Sequence, residues 1–128
     1  MTNLEIAEAL FVATAAADAD GLRALCASTL EATQNGGPAM GVDGLIQFAA
    51  VTNRAVKNFR YENALRTETA QGFVEEHDVV CDLPDGSGLR LRVCVVANVD
   101  AGQITQLREY ADGYAARGLM KAIAAVTS

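Results

Sequence analysis

The sequence predicts one α+β domain over residues 1–128, in which helices pack on one face of a curved antiparallel sheet. Apolar residues recur at helical spacing up to Asn58. From residue 61 to residue 111, alternating β-like segments are separated by short turn motifs. Helices first and strands afterwards are typical of α+β folds, and 128 residues is an ordinary size for one domain.

Three helices are predicted before the strands. Residues 2–5, Thr-Asn-Leu-Glu, fit a capping box, so a first helix extends to about Ala19. A shorter helix restarts at Asp20, after which residues 28–33 become β-like, and the run Asn-Gly-Gly-Pro at 35–38 breaks the chain. A third helix begins at about Asp43.

Four long strands and a final helix follow. The turns between the strands lie at Gln71-Gly72, in the run Pro-Asp-Gly-Ser-Gly at 84–88, and at Asp-Ala-Gly, residues 100–102. The predicted strands are 61–69, 73–83, 89–99 and 103–111, and an Ala-rich helix covers 113–126.

Composition excludes several classes of function. Sixteen acidic residues against ten scattered Lys and Arg leave a formal charge of -6, which argues against nucleic acid or an anionic membrane as a partner. No apolar run is long enough to span a bilayer, and we expect a soluble cytoplasmic protein. One histidine and three unclustered cysteines do not form a zinc site, and no cofactor motif is present, so we expect neither metal nor cofactor.

The segment 73–82 places its acids on both faces of a strand, because side chains alternate. One face carries Val74, Glu76, Asp78 and Val80; the other carries Glu75, His77, Val79 and Cys81. In the next strand the alternate residues from Leu89 to Ala97 form an apolar row that must face the core.

The register of this hairpin decides which acids face inward. If Val80 lies beside Val93, then Glu76 and Asp78 share the apolar face, whereas a slip of one residue exchanges the faces. The preferred register predicts two carboxylates in an apolar concavity, where desolvation and mutual repulsion raise a pKa and suit general acid or base chemistry. His77 then lies on the outer sheet face, in a structural or interface role.

The last strand contributes a third carboxylate. A three-residue loop at 100–102 would place Leu107, Glu109 and Ala111 inward, whereas a two-residue turn would send Arg108, Tyr110 and Asp112 inward. The spacing alone leaves both alternatives open, and Asp112 also suits a helix cap.

Residues 100–112, Asp-Ala-Gly-Gln-Ile-Thr-Gln-Leu-Arg-Glu-Tyr-Ala-Asp, resemble the ending of SnoaL-like proteins in the nuclear transport factor 2-like superfamily. The resemblance implies a cone-shaped, cystatin-like α+β roll with N-terminal helices over the sheet. It also implies a small hydrophobic ligand in the cone, and a homodimer formed through the outer sheet face.

The site pattern is similar to that of limonene-1,2-epoxide hydrolases, which carry Tyr-x-Asn, Arg-x-Asp and Trp-Arg-Asp-Tyr. Thr33–Asn35, Glu76–Asp78 and residues 107–110 stand at these positions. The resemblance implies that Asp78 and Glu109 are paired carboxylates and that Asn35 helps to hold a water molecule. Glu76 replaces the arginine and Thr33 replaces the tyrosine, so the Asp-Arg-Asp device is not present as such.

We therefore expect an enzyme that isomerises, cyclises, hydrates or dehydrates a small apolar molecule. The candidate catalytic residues are Asp78, Glu109, Glu76 and Asn35, with His77 and Asp112 as lesser candidates. The expected pocket wall comprises Thr33, Tyr61, Val80, Leu91, Val93 and Ala111. Alternatives are a salt-bridged polar face without a site, a non-catalytic protein that binds a hydrophobic ligand, and a structural dimer.

Overall fold

The computed structural model describes residues 1–127 and contains four helices and five strands. The helices are α1 (Asn3–Ala15), α2 (Ala19–Leu25), α3 (Val42–Ala55) and α4 (Arg117–Thr127); the strands are β1 (Cys26–Gln34), β2 (Lys57–Glu68), β3 (Gly72–Asp82), β4 (Gly88–Asp100) and β5 (Gln103–Ala111). The capping box at Thr2 is present. Helix α1 ends earlier than expected, because Asp18 caps α2 through the Gly21 N–H. No helix within residues 1–127 is long and apolar enough to cross a membrane.

The α+β class is confirmed, with helices packed over one face of a five-stranded sheet. The strand order is β1-β5-β4-β3-β2, and β2 to β5 are antiparallel neighbours. Strand β1, whose β-like character the sequence indicates, pairs parallel with β5, so the sheet is mixed rather than wholly antiparallel. We call the helix-covered face the inner face and the opposite one the outer face. The core lies between the helices and the inner face, with Ile6, Leu10, Phe73, Val93 and Ile104 nearly fully buried.

The expected register of the β3–β4 hairpin is wrong. Val80 lies opposite Arg90, and His77 lies opposite Val93. The loop closes tightly, because the Leu83 N–H donates to the Ser87 carbonyl oxygen (2.8 Å) and Gly86 adopts a positive φ of 88°. The shift from the expected pairing is odd, so the faces exchange. Glu75 and His77 face inward, and Glu76, Asp78 and Val80 face outward.

Strand β5 reaches the expected orientation by a different route. The turn has two residues, Ala101 and Gly102, both with positive φ (50° and 78°), between the paired Asp100 and Gln103. The register then shifts by one residue between Asn98 and Val99, which leaves Thr105 as a bulge in β5. This bulge reverses the effect of the short turn, and Glu109 faces inward opposite Val95.

Two bulges in β2 are built on asparagines. Asn58 and Asn63 both have a φ of 56°, and the pairing with β3 shifts by one residue beside each. The Asn58 amide donates to Asp82 (2.6 Å) and the Asn63 amide donates to Asp78 (2.9 Å). Strict alternation from Tyr61 would turn Leu65 inward. The bulge at Asn63 instead leaves Leu65 exposed on the outer face and brings Arg66 opposite Glu75.

Candidate functional site

A cavity of about 280 Å³, here called the main chamber, lies between the inner face and helices α1, α3 and α4. A second cavity of about 80 Å³, here called the side chamber, lies towards β1. Five residues line both chambers: Phe11, Gln34, Phe48, Tyr61 and Glu109. Glu109 and Tyr61 therefore stand at the junction of the two spaces.

A histidine and a buried carboxylate form the polar centre of the main chamber wall. His77 lines the chamber, and its Nδ1 lies 2.6 Å from Oε2 of Glu75. Glu75 has no exposed surface, and its other carboxylate oxygen accepts a hydrogen bond from the Arg66 guanidinium. The positive charge of Arg66 lies directly against the buried Glu75 carboxylate and offsets part of the cost of burying it. This pairing leaves Nε2 as the ring nitrogen available to the chamber.

Aromatic rings fix the orientation of the His77 imidazole. The Phe11 ring meets it edge-on at a centroid distance of 4.7 Å, and the Tyr61 ring lies at 4.5 Å. Phe59 packs against Tyr61 at 5.3 Å and extends this aromatic wall into the main chamber. Locked rings of this kind preorganise a side chain before a ligand arrives.

Glu109 is the acid that the structure places in the chamber. It lies on β5, separated by β4 from His77 on β3, and burial is the main cause that raises the pKa of its carboxyl group. The positive charge that His77 carries when it is protonated, and a hydrogen bond from Gln34, oppose this shift. A carboxyl group with a raised pKa holds its proton closer to neutral pH and can act as a proton donor.

Tyr61 places a phenol hydroxyl beside Glu109 at the junction of the two chambers. Burial, and then the negative charges of Glu109 and Glu75, raise the pKa of its phenol. The phenol therefore stays protonated and can donate a hydrogen bond to a ligand oxygen.

Four residues of the expected pocket wall line a chamber: Tyr61, Leu91 and Ala111 line the main chamber, and Thr33 lines the side chamber. The candidates Asn35, Glu109 and Asp112 also line the main chamber, and so does His77, for which the preferred register predicts the outer face. Val93 is buried on the inner face beside His77 and Ala111 and lines neither chamber.

Three expected site residues lie on the wrong side of the sheet: Glu76, Asp78 and Val80. Asp78 is held on the outer face by Arg90 (2.8 Å), Arg92 (3.2 Å) and Asn63 (2.9 Å). These hydrogen bonds, that of Asn63 first, lower the pKa of Asp78. The side chain of Glu76 is 53% exposed and only 3.9 Å from Arg92. Neither acid can contact a ligand in the chambers, so their placement in an apolar concavity is corrected.

The side chains of Asn35 and Asp112 form hydrogen bonds with backbone groups. The Asn35 amide donates to the Ala111 carbonyl (3.0 Å) and accepts from the Ala111 N–H (3.0 Å), which ties β1 to β5. Asp112 accepts from the N–H groups of Tyr114 and Ala115 and caps the turn before α4. These hydrogen bonds give both polar side chains a structural role.

Glu75 and Arg66 are polar residues of this cavity wall that the sequence does not predict as part of a site. The signal for Glu75 is present, because it shares a strand face with His77 two residues away. The signal for Arg66 lies in Asn63, which must be recognised as a bulge before Arg66 is assigned to the inner face.

The charged residues that line the two chambers are all acidic. The residues that line them include Glu109 and Asp112 but no Lys or Arg, as far as residues 1–127 are concerned. Arg66 is occupied by Glu75. In the same part of the chain no three His, Cys, Asp or Glu side chains gather as a ligand set for a metal ion.

Comparison with known families identifies the relationship. The model of the SnoaL-like domain matches residues 7–107, which is well over half of the chain. The chain belongs to the SnoaL-like domain family. Glu109 lies just beyond the matched part of this SnoaL-like domain. A comparison with curated proteins finds no match.

Solved structures share the fold of this SnoaL-like domain. A candidate polyketide cyclase from Pseudomonas putida is 20% identical, with 89% of this chain and 94% of that chain covered and a TM-score of 0.78. An LEH-like epoxide hydrolase from M. tuberculosis is 21% identical, with 98% and 94% covered and a TM-score of 0.75. A protein from Catenulispora acidiphila with a ketosteroid isomerase-like fold is 16% identical, with 83% and 84% covered and a TM-score of 0.74. At these identities the similarity is one of fold.

Proposed function

We propose that this SnoaL-like domain is an enzyme that performs general acid–base chemistry on a small, uncharged, largely apolar molecule. His77 is the base and Glu109 the acid. The observation that carries the proposal is the 2.6 Å contact between His77 Nδ1 and the fully buried Glu75, in the wall of a cavity that also holds Glu109.

Glu75 selects the tautomer of the histidine in this proposal. An ionised Glu75, balanced by Arg66, accepts a hydrogen bond from Nδ1–H and fixes the tautomer with the lone pair on Nε2. The developing imidazolium is stabilised by the same carboxylate when Nε2 takes a proton. His77 is thereby suited to remove a proton from a carbon next to a carbonyl group.

Glu109 and Tyr61 complete the reaction. Both stand at the junction of the chambers and can donate hydrogen bonds to the carbonyl oxygen, where negative charge develops as the carbon loses its proton. Return of the proton from His77 to another carbon isomerises the molecule. Attack by the enolate carbon on a second carbonyl of the same molecule closes a ring and converts that second oxygen to an alkoxide. Glu109 protonates the alkoxide, and the proton held by His77 then returns to Glu109, so that both groups recover their starting states.

The test uses 5-nitrobenzisoxazole, an uncharged bicyclic probe of a base in an apolar site. Removal of its C3 proton breaks the ring N–O bond and releases a coloured phenolate. We expect the protein to accelerate this reaction, and His77→Ala to reduce the rate by roughly 100-fold or more, the usual contribution of a positioned base. Glu75→Gln should also slow it, because the histidine loses its anionic partner.

Glu76→Gln is the matched control. It makes the same substitution one residue away, on the exposed outer face, and should leave the rate unchanged. A His77→Ala protein that is folded by circular dichroism and retains the wild-type rate would overturn the proposal.

We also propose that two copies of the chain associate through the outer face. Val96 and Cys94 are half-buried there in the isolated chain, and Tyr110 is 46% exposed beside Cys94. An open sheet face with apolar residues among charged ones is suited to a self-complementary contact.

A further inference from the structure

We propose that the side chamber is a subsite that selects one small alkyl branch next to the reacting carbonyl, and that Ala32 and Met40 set its size limit. This inference names the substrate class for the proposed acid–base site and rests on that function. The class is an uncharged cyclic ketone that carries a branch of one to three carbons beside its carbonyl group.

The arrangement of the chambers supports a branched ligand. Glu109 and Tyr61 line both spaces, so a carbonyl oxygen bound to them lies at the junction. The body of the molecule then occupies the main chamber, where His77 can reach it, and a substituent on the neighbouring carbon points into the side chamber.

The volumes limit both parts of the molecule. At roughly 30 Å³ for each small group, the share of one water molecule in the liquid, the side chamber of about 80 Å³ has room for two or three non-hydrogen atoms. The main chamber, at about 280 Å³, is more than three times as large and has room for a six-membered ring. A six-membered ring fits the main chamber and a short branch fits the side chamber, whereas a second ring does not fit the side chamber.

The chemistry of the side chamber specifies an alkyl branch. Apart from the junction residues, its wall is mostly aliphatic: Leu10, Ala32, Met40, Leu45, Val95 and Leu107. The Thr14 hydroxyl in this wall already donates to the Leu10 carbonyl (2.7 Å). Outside the junction residues, the Thr33 hydroxyl is the one other polar group that residues 1–127 place in the wall. A polar or charged branch would therefore lose most of its hydration without replacement, which disfavours it.

Backbone pairing makes the limit rigid. Ala32 donates to the Met40 carbonyl (2.9 Å) and accepts from the Met40 N–H (2.8 Å), and it is paired with Leu107 of β5. Because the chain is held on both sides of Ala32, the chamber cannot widen readily for a longer branch. One methyl group more or less on these side chains should therefore change which branch fits.

The experiment measures binding, by isothermal titration calorimetry, of cyclohexanone and its 2-methyl, 2-isopropyl and 2-phenyl derivatives. For the unsubstituted protein we expect affinity to rise about fourfold for each added carbon up to isopropyl, and to fall for phenyl. Ala32→Val should weaken the 2-isopropyl compound about tenfold while cyclohexanone changes less than twofold. Met40→Ala should instead favour the 2-phenyl compound.

Ala116→Val is the matched control, because Ala116 lines the main chamber and not the side chamber. It should weaken all four compounds by a similar factor. The subsite is overturned if affinity does not vary with the branch, or if Ala32→Val and Ala116→Val change the series alike. If Ala32→Val does not fold, Met40→Ala decides by its effect on 2-phenylcyclohexanone.

Binding and turnover separate this inference from the proposed function. A branch preference that moves with Ala32 and Met40, in a protein that does not open 5-nitrobenzisoxazole, would retain the subsite and reject the catalysis. Turnover that depends on His77, without any branch preference, would retain the catalysis and reject the subsite.

Discussion

Burial of Glu109, the proposed acid, makes the stability of the fold depend on pH. Because burial raises its pKa in the folded chain, the folded state binds a proton more tightly than the unfolded state. Stability therefore falls as the pH rises from the ordinary carboxyl value of 4.5 through the raised one. An ionised Glu109 destabilises the fold, and its retention in an apolar cavity is typical of a functional group.

The Glu109→Gln variant tests this pH dependence of stability. The amide removes the ionisation with little change in shape, so we expect a higher melting temperature than wild type at about pH 8 and a vanishing difference below about pH 4. Thermal unfolding across this range gives the answer. A melting temperature that rises more with pH in wild type than in Glu109→Gln would contradict the assignment.

Asp78 has the opposite behaviour. Its pKa is lowered by Asn63, Arg90 and Arg92, so its contribution to stability is present above the ordinary value of 3.8 and is lost as the pH falls through the lowered value. We expect Asp78→Asn to be less stable than wild type at neutral pH, with the gap closing in acid, as measured by urea unfolding.

Turnover is the second measurement on Asp78→Asn. The asparagine oxygen can still accept from Asn63, and the side chain lies outside both chambers, so reaction with 5-nitrobenzisoxazole should continue at the wild-type rate. Loss of that reaction in a folded variant would return Asp78 to the list of catalytic candidates.

At the scale of the element, the bulges in β2 and β5 decide what the inner face contains. The bulge at Thr105 turns Glu109 inward, and the bulge at Asn63 brings Arg66 opposite Glu75. Each is a single extra residue, and each reverses the alternation of every side chain beyond it. The polar centre of the cavity therefore depends on two local irregularities.

Asn63 provides a test of this dependence. A β-branched residue tolerates the left-handed φ of 56° poorly, so Asn63→Val should lower the free energy of unfolding by about 1–3 kcal/mol. It should also slow turnover of 5-nitrobenzisoxazole, because Arg66 no longer lies reliably beside Glu75. Asn63→Gly accepts the same φ and should keep most of the rate, although it loses the hydrogen bond to Asp78. Equal rates for the two variants would contradict the link to Arg66.

The same irregularities explain how far the sequence can predict the site. Periodicity and turn residues predict the α+β class and the order of helices and strands, because those signals extend over many residues. The register of β3 and β4 depends on where one short loop closes, between Leu83 and Ser87. The spacing leaves the length of the loop at 100–102 open, and the resemblance implies an inward Glu109. The structure turns Glu109 inward through a two-residue turn and a bulge rather than through a three-residue loop. No bulge interrupts the β3–β4 pairing, so the wrong faces predicted for Asp78 and His77 follow from that register alone. Period-2 reasoning fails for a different reason in β2 and β5, where it cannot detect the bulges.

At the scale of the whole molecule, the excess of acid is distributed differently from what the sequence suggests. Of the 16 acidic residues behind the formal charge of -6, Glu75 and Glu109 lie on the inner face of the sheet. Glu75 is balanced by Arg66, and Glu109 holds its proton more readily than an ordinary acid. Glu76 and Asp78 lie on the outer face, where Asp78 shares an ion-pair network with Arg90 and Arg92.

Self-association through that outer face can be tested by a substitution at Val96. Val96 lies at its centre, paired with Val74 on one side and Arg108 on the other, away from both chambers. Association through this face would bury Val96, so Val96→Lys would place a charge against its own copy and disfavour the dimer. We expect sedimentation velocity to show a dimer for the wild type and a monomer for Val96→Lys, with an unchanged melting profile in dilute solution. Val12→Lys, on the exposed surface of α1, is the control and should remain dimeric. A wild type that is monomeric at every concentration, or a Val96→Lys protein that is still dimeric, would show that the outer face is not the interface.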